Sequence, residues 1–359
     1  MTRIYYWIGF LIYSIVVILI GWQGYQKSRA SQNVDVDFWA AGKSLSGWAA
    51  GLSISASFMS ISWSCVYTVQ LFYWYGITAL WLVPIPWLVT MLGFYLLTPY
   101  FRKLPAFSQP EMVGHRFGAS LRKFIAVPVA FVFLVWGGAE IFAAAKVLSP
   151  LLQAPFMWVL AMIAAVVAAY SYLGGFAAVV NTDKVQFALV AGFILSMAWI
   201  AVQAAFSHTS PGEWMRSLPT PPKASGSAFA LLATSPVLIA LTFVAYLPGW
   251  LVETDVWLRL QAARRTRDAR NGVLLASLNS LLFLALLPLV IGLVALYLYP
   301  PVQGAIPAKL QDGAAILAVL MQDHAPTWLS VVLSIGLAAA AMSTIDTCGN
   351  VVALSLSYD

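Results

Sequence analysis

Nine long apolar runs, separated by glycines, prolines and short charged clusters, constrain this 359-residue chain more than any motif does. A run of about 20 apolar residues is long enough to cross the hydrocarbon core of a bilayer as a helix. Hydrophobic residues make up 61% of the chain and charged residues 9%, whereas a soluble domain carries about 25% charged residues. The sequence therefore predicts an all-α polytopic membrane protein and excludes a soluble globule. The predicted spans are residues 4–24, 46–72, 76–100, 120–150, 155–173, 184–208, 227–252, 272–299 and 327–357.

The basic residues predict how the chain is oriented. Fourteen of the 19 lysines and arginines follow the first, third, fifth or seventh run. Short loops rich in these residues stay in the cytoplasm. We therefore expect a multi-pass protein of the plasma membrane, in a bacterium the inner membrane, with its N-terminus outside and the loops 209–226 and 300–326 exposed on the outer side. The same cytoplasmic loops account for the formal net charge of +6, so we expect a lipid bilayer and no nucleic acid as a partner.

The second run is unusually polar for the middle of a membrane, because it has six serines between positions 53 and 64. Serine lowers both the hydrophobicity and the helix propensity of a segment. One interpretation is that these small residues serve close packing between helices. The other is a broken helix whose freed carbonyl groups bind a cation, as in secondary transporters.

The last run carries a second group of polar residues. Ala340, Ser343, Thr344, Asp346 and Thr347 recur at helical spacing, so one face offers hydroxyl groups and a carboxylate. Hard cations prefer oxygen ligands, so this face suits sodium better than a transition metal. Alternatively, the hydroxyl groups bond to the preceding turn and Asp346 lines a wet cavity. A carboxylate inside a membrane favours the functional interpretation.

Two further features predict a solute-binding region. Glu140 lies near the middle of the fourth run, where an acid is costly unless it is paired, protonated or in contact with water. It could bind a cationic solute, relay a proton or have a structural partner. In the seventh run, Pro248 and Gly249 should unwind the helix beside Tyr246 and Trp250. These rings could contact a solute or anchor the helix at the membrane interface.

The sequence gives no indication of an enzyme. It contains no nucleophile with a matching base and no phosphate-binding glycine loop after a strand. Cys65 and Cys348 both lie in apolar runs, where cysteine packs as a small hydrophobic residue.

Five segments in the same order resemble the sodium/solute symporter family, which includes the proline, sialic acid, glucose/galactose and pantothenate carriers. The most specific is YSYLGGFAAVVNTDKVQFALV at 170–190, which looks like the family's signature of tyrosine, paired glycines, Thr-Asp and glutamine. The resemblance runs from about Asp37 to the end of the chain. The other segments are FWAAGKSLSGWAAGLSISAS at 38–57, QPEMVGHRFG at 109–118, DVWLRLQAARRTRDAR at 255–270 and MSTIDT at 342–347.

This resemblance implies an inverted-repeat, LeuT-like transporter core of ten helices with one extra helix before it. We then expect a single transmembrane domain over 1–359 with about nine helices. Residues 1–36 would be the leading helix and linker, 37–208 the first repeat and 227–359 the second. Eight core helices follow the first one in this sequence, so the second repeat should lack its last two. The chain would be either a piece of a longer product or a truncated homologue.

The resemblance also implies binding residues, carried over from the matching positions. The main sodium site would use the carbonyl groups of Ala56, Met59 and Ala340 with the hydroxyl groups of Ser343 and Thr344. A possible second sodium site would use Asp183, Ser343, Asp346 and Thr347. The solute pocket would include Trp63, Trp136, Tyr246 and Trp250, with Glu140 nearby. Phe58 stands where the proline carriers have an acid, which argues against proline as the solute.

The resulting hypothesis is a sodium-coupled symporter that imports a small polar organic solute, such as an amino acid, carboxylate or sugar, by alternating access. Its partners would be sodium, the solute and the lipid bilayer, and the protein would be monomeric or loosely oligomeric. Two alternatives stay open at this stage. One is a membrane sensor derived from a symporter, and the other is a carrier coupled to protons through Glu140 and Asp346.

Overall fold

A computed structural model of the chain describes residues 2–29, 43–104, 106, 108–207 and 209–359. The end of the predicted leading segment, the start of the segment at 38–57 and His208 lie outside these residues. The described residues form fourteen α-helices, two isolated bridges and no strand. The α-helices are α1 (Thr2–Arg29), α2 (Gly47–Phe58), α3 (Tyr67–Tyr75), α4 (Pro84–Phe101), α5 (Gln109–Phe117), α6 (Ala119–Leu152), α7 (Phe156–Phe206), α8 (Pro211–Ser217), α9 (Pro236–Leu251), α10 (Thr254–Ala262), α11 (Thr266–Ser280), α12 (Leu287–Leu298), α13 (Ile316–His324) and α14 (Thr327–Ser357).

Within the described residues, six helical segments are long and apolar enough to cross a membrane. They are Arg3–Gln23, Ala119–Leu152, Gly175–Phe206, Pro236–Ala262, Thr266–Leu298 and Thr327–Ser357. A seventh span arises if the bent pair Gly47–Phe58 and Ile61–Trp81 is counted as one. The two remaining predicted spans lie on α4, which has 18 residues, and on the shorter apolar helix Phe156–Tyr172.

The predicted gap between the fifth and sixth spans is much shorter in the structure. α7 runs through it and is kinked at Gly175, whose backbone has φ 56° and ψ −155°. L-amino acids with a side chain rarely adopt a positive φ, so glycine is the residue suited to this kink. The second half of α7 starts at Gly175 rather than at 184, and this change places Asp183 inside a helix.

The predicted break in the seventh span also lies elsewhere. Pro248 is inside α9, which continues to Leu251. The chain leaves helical geometry at Val252 and Glu253, and α10 follows at once. The prediction at Pro248 was wrong because a proline removes only one intrahelical hydrogen bond, and a kinked helix can tolerate that loss. Residues 254–262, expected to be a cytoplasmic loop, form the buried helix α10.

α2 lies in the centre of the bundle, and all but one of its twelve residues are buried. It begins at Ser46, whose hydroxyl accepts a hydrogen bond from the Ala49 amide at 3.2 Å. Glycines allow α2 and α11 to approach closely. A Cβ atom added to Gly51 would lie 2.9 Å from the carbonyl oxygen of Gly272, so a side chain there would push the helices apart. Small residues at helix crossings are the usual device for close packing in membranes.

One end of the bundle is covered by the segment that precedes α9. The Ile77 amide donates to the Ala228 carbonyl at 2.8 Å, and the Thr78 hydroxyl donates to the Ala230 carbonyl at 2.6 Å. Gly76, with φ 59°, is so close to Ala228 that an added Cβ atom would lie 2.3 Å from the Ala228 carbonyl oxygen. The predicted start of the seventh span at residue 227 is therefore wrong, because residues 227–235 are not helical and pack against the bundle before α9 begins at Pro236.

Candidate functional site

The serine-rich span is broken in the middle, as one of the two sequence interpretations predicts. α2 ends at Phe58, Met59 has the non-helical angles φ −81° and ψ 54°, and Ser60 is extended. The chain then restarts as a π-helical turn over Ile61–Cys65, and the bend across the break is 63°. The Ser60 hydroxyl accepts a hydrogen bond from the Trp63 amide at 3.0 Å and so caps the new helix. Carbonyl groups at the end of α2 are left without partners in their own helix.

Hydroxyl groups from α14 contact these carbonyl groups. The Ser343 hydroxyl donates to the Ala56 carbonyl at 2.9 Å, and it also lies 3.1 Å from the Ala340 carbonyl. The Thr344 hydroxyl donates to the Ser57 carbonyl at 2.9 Å and lies 3.4 Å from the Ala340 carbonyl. The break in one helix and the polar face of another are thereby brought together.

Four of the five residues expected at the main sodium site are linked by these bonds, and the fifth, Met59, lies directly at the break. All five are fully buried. The Ser57 carbonyl also belongs to the group, although the sequence analysis did not identify it. The group offers hydroxyl and carbonyl oxygens, which suit a hard cation. Among the described residues, no three His, Cys, Asp or Glu side chains are grouped as in a typical transition-metal site.

Two of the four residues expected at a second sodium site bind an arginine that had been expected in a cytoplasmic loop. Arg259 projects from α10 and is fully buried. Its Nη2 atom donates to Asp183 at 3.1 Å and to Thr347 at 2.8 Å. Its Nε atom donates to the Ser53 hydroxyl at 2.7 Å, and this serine also bonds to Asp183. Asp183 and Thr347 are therefore connected by a guanidinium group.

Arg259 also contacts an acid on its own helix. Its Nη1 atom lies 3.5 Å from the Asp255 carboxylate and donates to the Asp255 carbonyl at 3.0 Å. The same carboxylate accepts a hydrogen bond from the Ser57 hydroxyl at 2.9 Å. The spacing of four residues between Asp255 and Arg259, within an otherwise apolar stretch, was the sequence signal for this buried pair.

Asp346 lies on the far side of the same cluster and bonds to a different helix. Its carboxylate accepts a hydrogen bond from the Tyr170 hydroxyl at 2.7 Å and lies 3.4 Å from the Thr347 hydroxyl. Gln186, on the same helix as Tyr170, donates a hydrogen bond to the Tyr13 hydroxyl at 3.1 Å and so connects this region with α1. Asp346 is fully buried, so its hydrogen bonds within the bundle replace those with water.

A cavity of about 590 Å³ lies beside the helix break, between the first half of α6 and the end of α9. Four of the five residues expected to bind solute line it, namely Trp63, Trp136, Tyr246 and Trp250. The other aromatic residues that line the cavity were not predicted from the sequence. They are Phe58, Trp87 and Phe133.

The aromatic rings pack on one another at the cavity wall. Tyr246 and Trp250 are stacked, with ring centroids 4.7 Å apart and an interplanar angle of 6°. Trp63 meets them at nearly right angles, with its centroid 5.7 Å from that of Tyr246 and 5.4 Å from that of Trp250. Because Trp63 follows the helix break directly, the aromatic wall is connected to the carbonyl groups of α2.

Glu140, the fifth residue expected to bind solute, lies behind the cavity wall. It is fully buried and bonds to the Ser62 hydroxyl, and the Ser62 amide donates to it at 3.3 Å. Ser62 itself lines the cavity. The carboxyl group of Glu140 therefore accepts hydrogen bonds at the restart of the broken helix and lies close to the cavity.

Comparison with known proteins identifies the class of protein that has this arrangement. The family model described as the sodium:solute symporter family matches residues 38–359. The chain belongs to this family. Membership confirms the resemblance seen in the sequence and confirms that the protein is of a transporter class rather than an enzyme. It also confirms the prediction of sodium, which is the coupling ion of the family.

Two curated members of the sodium:solute symporter family are similar to the chain. The sodium/glucose cotransporter of Vibrio parahaemolyticus is 27% identical over 384 residues, which cover 98% of this chain and 67% of that protein. The sodium/proline symporter of Haemophilus influenzae is 26% identical over 251 residues, which cover 67% of this chain and 48% of that protein. The chain therefore spans about two thirds and about half of their lengths.

A solved structure of the family shows the fold. The substrate-bound, outward-open state of a Na⁺-coupled sialic acid symporter matches with a TM-score of 0.79 at 17% identity. The match covers 99% of this chain and 74% of that one. Together with the apolar helices, it confirms the prediction of an all-helical, multi-pass membrane protein with a symporter fold.

Proposed function

We propose that the chain forms the ion-binding and solute-binding part of a sodium-coupled symporter that imports a small polar organic solute by alternating access. The observation that carries this proposal is the break at Met59 and Ser60. Before the break, the Ala56 and Ser57 carbonyl groups face the hydroxyl groups of α14, and after it Trp63 lines the aromatic cavity. One interruption therefore serves both binding sites.

Sodium would bind to oxygens that the structure already groups together. In the described arrangement the Ser343 and Thr344 hydroxyl groups donate to carbonyl oxygens. With sodium bound, the hydroxyl hydrogens would turn away and their lone pairs would face the ion, together with the carbonyl groups of Ala56, Met59 and Ala340. The Ser57 carbonyl is a further candidate ligand.

A second sodium ion would use Asp183, Ser343, Asp346 and Thr347. Arg259 already donates hydrogen bonds to Asp183 and Thr347, so the guanidinium group and a second ion compete for the same oxygens. We therefore assign the main site to the coupling ion. Arg259 then acts as a fixed positive charge beside it.

Coupling follows from the shared break. An ion drives transport only if it binds the two conformations with different affinities. Sodium would hold α2 against α14, and this contact fixes the angle at which the next turn, with Ser62 and Trp63, meets the cavity. The solute site would then be well formed only while the ion is bound.

The symporter would have the orientation and repeats expected from the sequence, with its N-terminus outside and repeats at 37–208 and 227–359. The cavity extends to Val252, Glu253 and Thr254, at the end of the bundle that would face the cytoplasm. The segment over Ile77 and Thr78 covers the opposite end. This conformation would be the one from which solute leaves on the cytoplasmic side.

The test is a titration of the purified chain in detergent with sodium, monitored by intrinsic tryptophan fluorescence. A titration with potassium at equal ionic strength is the control. Fifteen tryptophans are present, and Trp63 lies at the break. We expect a saturable, sodium-selective change. The double substitution Ser343→Ala and Thr344→Ala should abolish it, and Thr344→Ser, which keeps the hydroxyl group, should retain it.

A matched control removes two other buried hydroxyl groups. Within the described part of the chain, Thr90 and Thr98 bond only to carbonyl groups of their own helix, at 3.0 Å and 2.5 Å. The double substitution of both by alanine should leave the sodium response intact. An equal response to sodium and potassium, or a full sodium response in the Ser343 and Thr344 double variant, would contradict the site assignment. A change driven by pH alone would favour proton coupling instead.

A further inference from the structure

The charges around the aromatic cavity are strongly unbalanced. Glu253 and Asp255 line it, and none of the described residues that line it is Lys, Arg or His. Anionic groups such as carboxylate and phosphate are usually bound by arginine or lysine. The cavity wall therefore lacks the charged donors that an anionic solute needs.

Among the described residues, the buried cation of this region, Arg259, is already fully engaged. Arg259 donates from Nε, Nη1 and Nη2 to Ser53, Asp255, Asp183 and Thr347. Five carboxyl groups belong to this region of the bundle, and one guanidinium group faces them. They are those of Glu140, Asp183, Glu253, Asp255 and Asp346. Unpaired charge inside a membrane is costly, so each carboxyl group that Arg259 does not pair is either protonated or receives a positive charge from an ion or a solute.

Glu253 is the acid best placed to receive that charge. Its carboxylate forms no hydrogen bond or ion pair with any described residue, and it lies on the cavity wall. Asp255, in contrast, is paired with Arg259 and bonded to Ser57. Glu140 is held behind Ser62.

The aromatic wall fits the same kind of ligand. Faces of tryptophan and tyrosine rings attract cations, and groups of such rings bind quaternary ammonium ions. Trp63, Tyr246 and Trp250 lie on one wall with two of the rings parallel and the third perpendicular. A cavity of about 590 Å³ is in the usual range for a small-molecule site.

We infer that the cavity binds a small organic cation with a methylated ammonium group, which lies against the wall formed by Trp63, Tyr246 and Trp250 and is neutralised by Glu253. This inference rests on the proposed function, because it takes the cavity as the solute site of the symporter. It adds the chemical class of the solute, which the family does not determine. Phe58 and Trp87, whose rings are 4.9 Å apart, extend the same apolar wall.

The experiment compares two probes of the same shape on the purified chain in sodium buffer. Choline carries a trimethylammonium group, and 3,3-dimethylbutan-1-ol has a neutral carbon in place of the nitrogen. Binding of radiolabelled choline is measured directly, and the neutral alcohol is tested as a competitor. We expect choline to bind at least about tenfold more tightly, which corresponds to about 1.4 kcal/mol.

Two variants assign the binding to named residues. Glu253→Gln should weaken choline binding by about tenfold and leave competition by the neutral alcohol unchanged, because only the charge is removed. The fold should tolerate it, since the carboxylate has no partner in the described protein to lose. Trp250→Leu should weaken choline binding as well. Glu213→Gln, on exposed helix α8, is the matched control and should change nothing.

The outcomes separate this inference from the proposed function. A sodium-selective fluorescence change without choline binding would overturn the cationic solute and leave the symporter proposal standing. Choline binding without a sodium response would support the cation site and contradict sodium coupling. Equal affinity for the two probes, unchanged choline binding in Glu253→Gln, or displacement of choline by glucose, proline or sialic acid would each overturn the inference.

Discussion

Replacing Arg259 by methionine would remove the guanidinium group that connects α10 with α2, α7 and α14. Methionine keeps a long apolar side chain in the same space, so packing changes little while the charge is lost. Asp183 would then keep only its bond to Ser53, and Thr347 would lose its donor from α10. We expect a large loss of stability in the absence of sodium.

The size of the loss follows from the burial of the pair. Neither Arg259 nor Asp183 is exposed, and removal of one partner from a buried ion pair costs about 3–5 kcal/mol. One oxygen of Asp183 already lacks a hydrogen-bonding partner among the described residues, so no second donor is at hand to compensate. We therefore expect a loss of about 3–5 kcal/mol in the free energy of unfolding.

Sodium should recover part of this loss. Without the guanidinium group, the oxygens of Asp183, Ser343, Asp346 and Thr347 become available to an ion. Sodium at 100 times its dissociation constant would restore about 2.7 kcal/mol. The wild-type chain, in which Arg259 bonds to two of these residues, should gain less from sodium at this second position. Sodium should therefore raise the unfolding midpoint, relative to potassium, by a larger amount in the variant than in the wild type.

The assay is the unfolding midpoint of the purified chain in detergent, measured in sodium and in potassium. Arg270→Met is the matched control. Arg270 is another arginine on a helix, but it donates to the Tyr95 carbonyl at 3.2 Å and has no carboxylate partner in the described structure. A loss in Arg259→Met no greater than in Arg270→Met would refute the reasoning.

A double variant keeps the prediction testable if Arg259→Met does not fold. Asp183→Asn combined with Arg259→Met removes both charges of the pair. Because the penalty arises mainly from the unpaired carboxylate, the double variant should be more stable than Arg259→Met alone. Strictly additive losses would show that the two residues are not coupled.

Three further predictions concern packing, capping and pH. Gly51→Ala should lower the free energy of unfolding by about 1–3 kcal/mol, because the added methyl group meets the backbone of α11. Gly192 has open space around it, so Gly192→Ala should be neutral or stabilising in the same thermal unfolding assay. Ser60→Ala should lower the free energy of unfolding by about 0.5–2 kcal/mol, because it removes the cap of the restarted helix. Ser60→Thr should recover most of this loss. An unchanged unfolding midpoint in Ser60→Ala would contradict the capping role. Burial favours the neutral form of Asp323, but hydrogen bonds from Tyr299 and Lys309 outweigh this effect and lower the pKa of Asp323. These two bonds therefore stabilise the fold at pH values above the usual aspartate range. Their contribution is lost as the pH falls through the lowered pKa. Asp323→Asn should remove this acid sensitivity, which a pH series of unfolding midpoints would test.

The broken helix could be predicted because its cause is local. Serine repeated through an apolar span weakens the helix regardless of what surrounds it, and the break occurs inside that stretch, at Met59 and Ser60. The polar face of α14 could also be predicted from the sequence, since helical spacing alone places Ser343 and Thr344 on the same side. That these two groups meet depends on tertiary packing, and the sequence supported their meeting only through the family resemblance.

Arg259 could not be placed because charge counting assigns a residue to a side of the membrane and not to a partner. It occurs in a stretch with four more arginines within the next eleven residues, and by composition alone all five look like cytoplasmic loop residues. Only the formation of α10, buried along its whole length, turns Arg259 inward toward Asp183. A buried cation between two helices is a property of the assembled bundle.

The position of Arg259 also gives a way in which a single helix break would control both proposed binding sites. Ser57 uses its carbonyl group to accept from Thr344 and its hydroxyl group to bond to Asp255, which Arg259 holds. Any movement of α2 relative to α14 therefore strains the contact with α10, the helix that begins at the cavity wall. In the proposed mechanism, an ion that fixes the first contact would stabilise the second, and the solute site would respond because its wall and the proposed ion ligands are joined through Ser57.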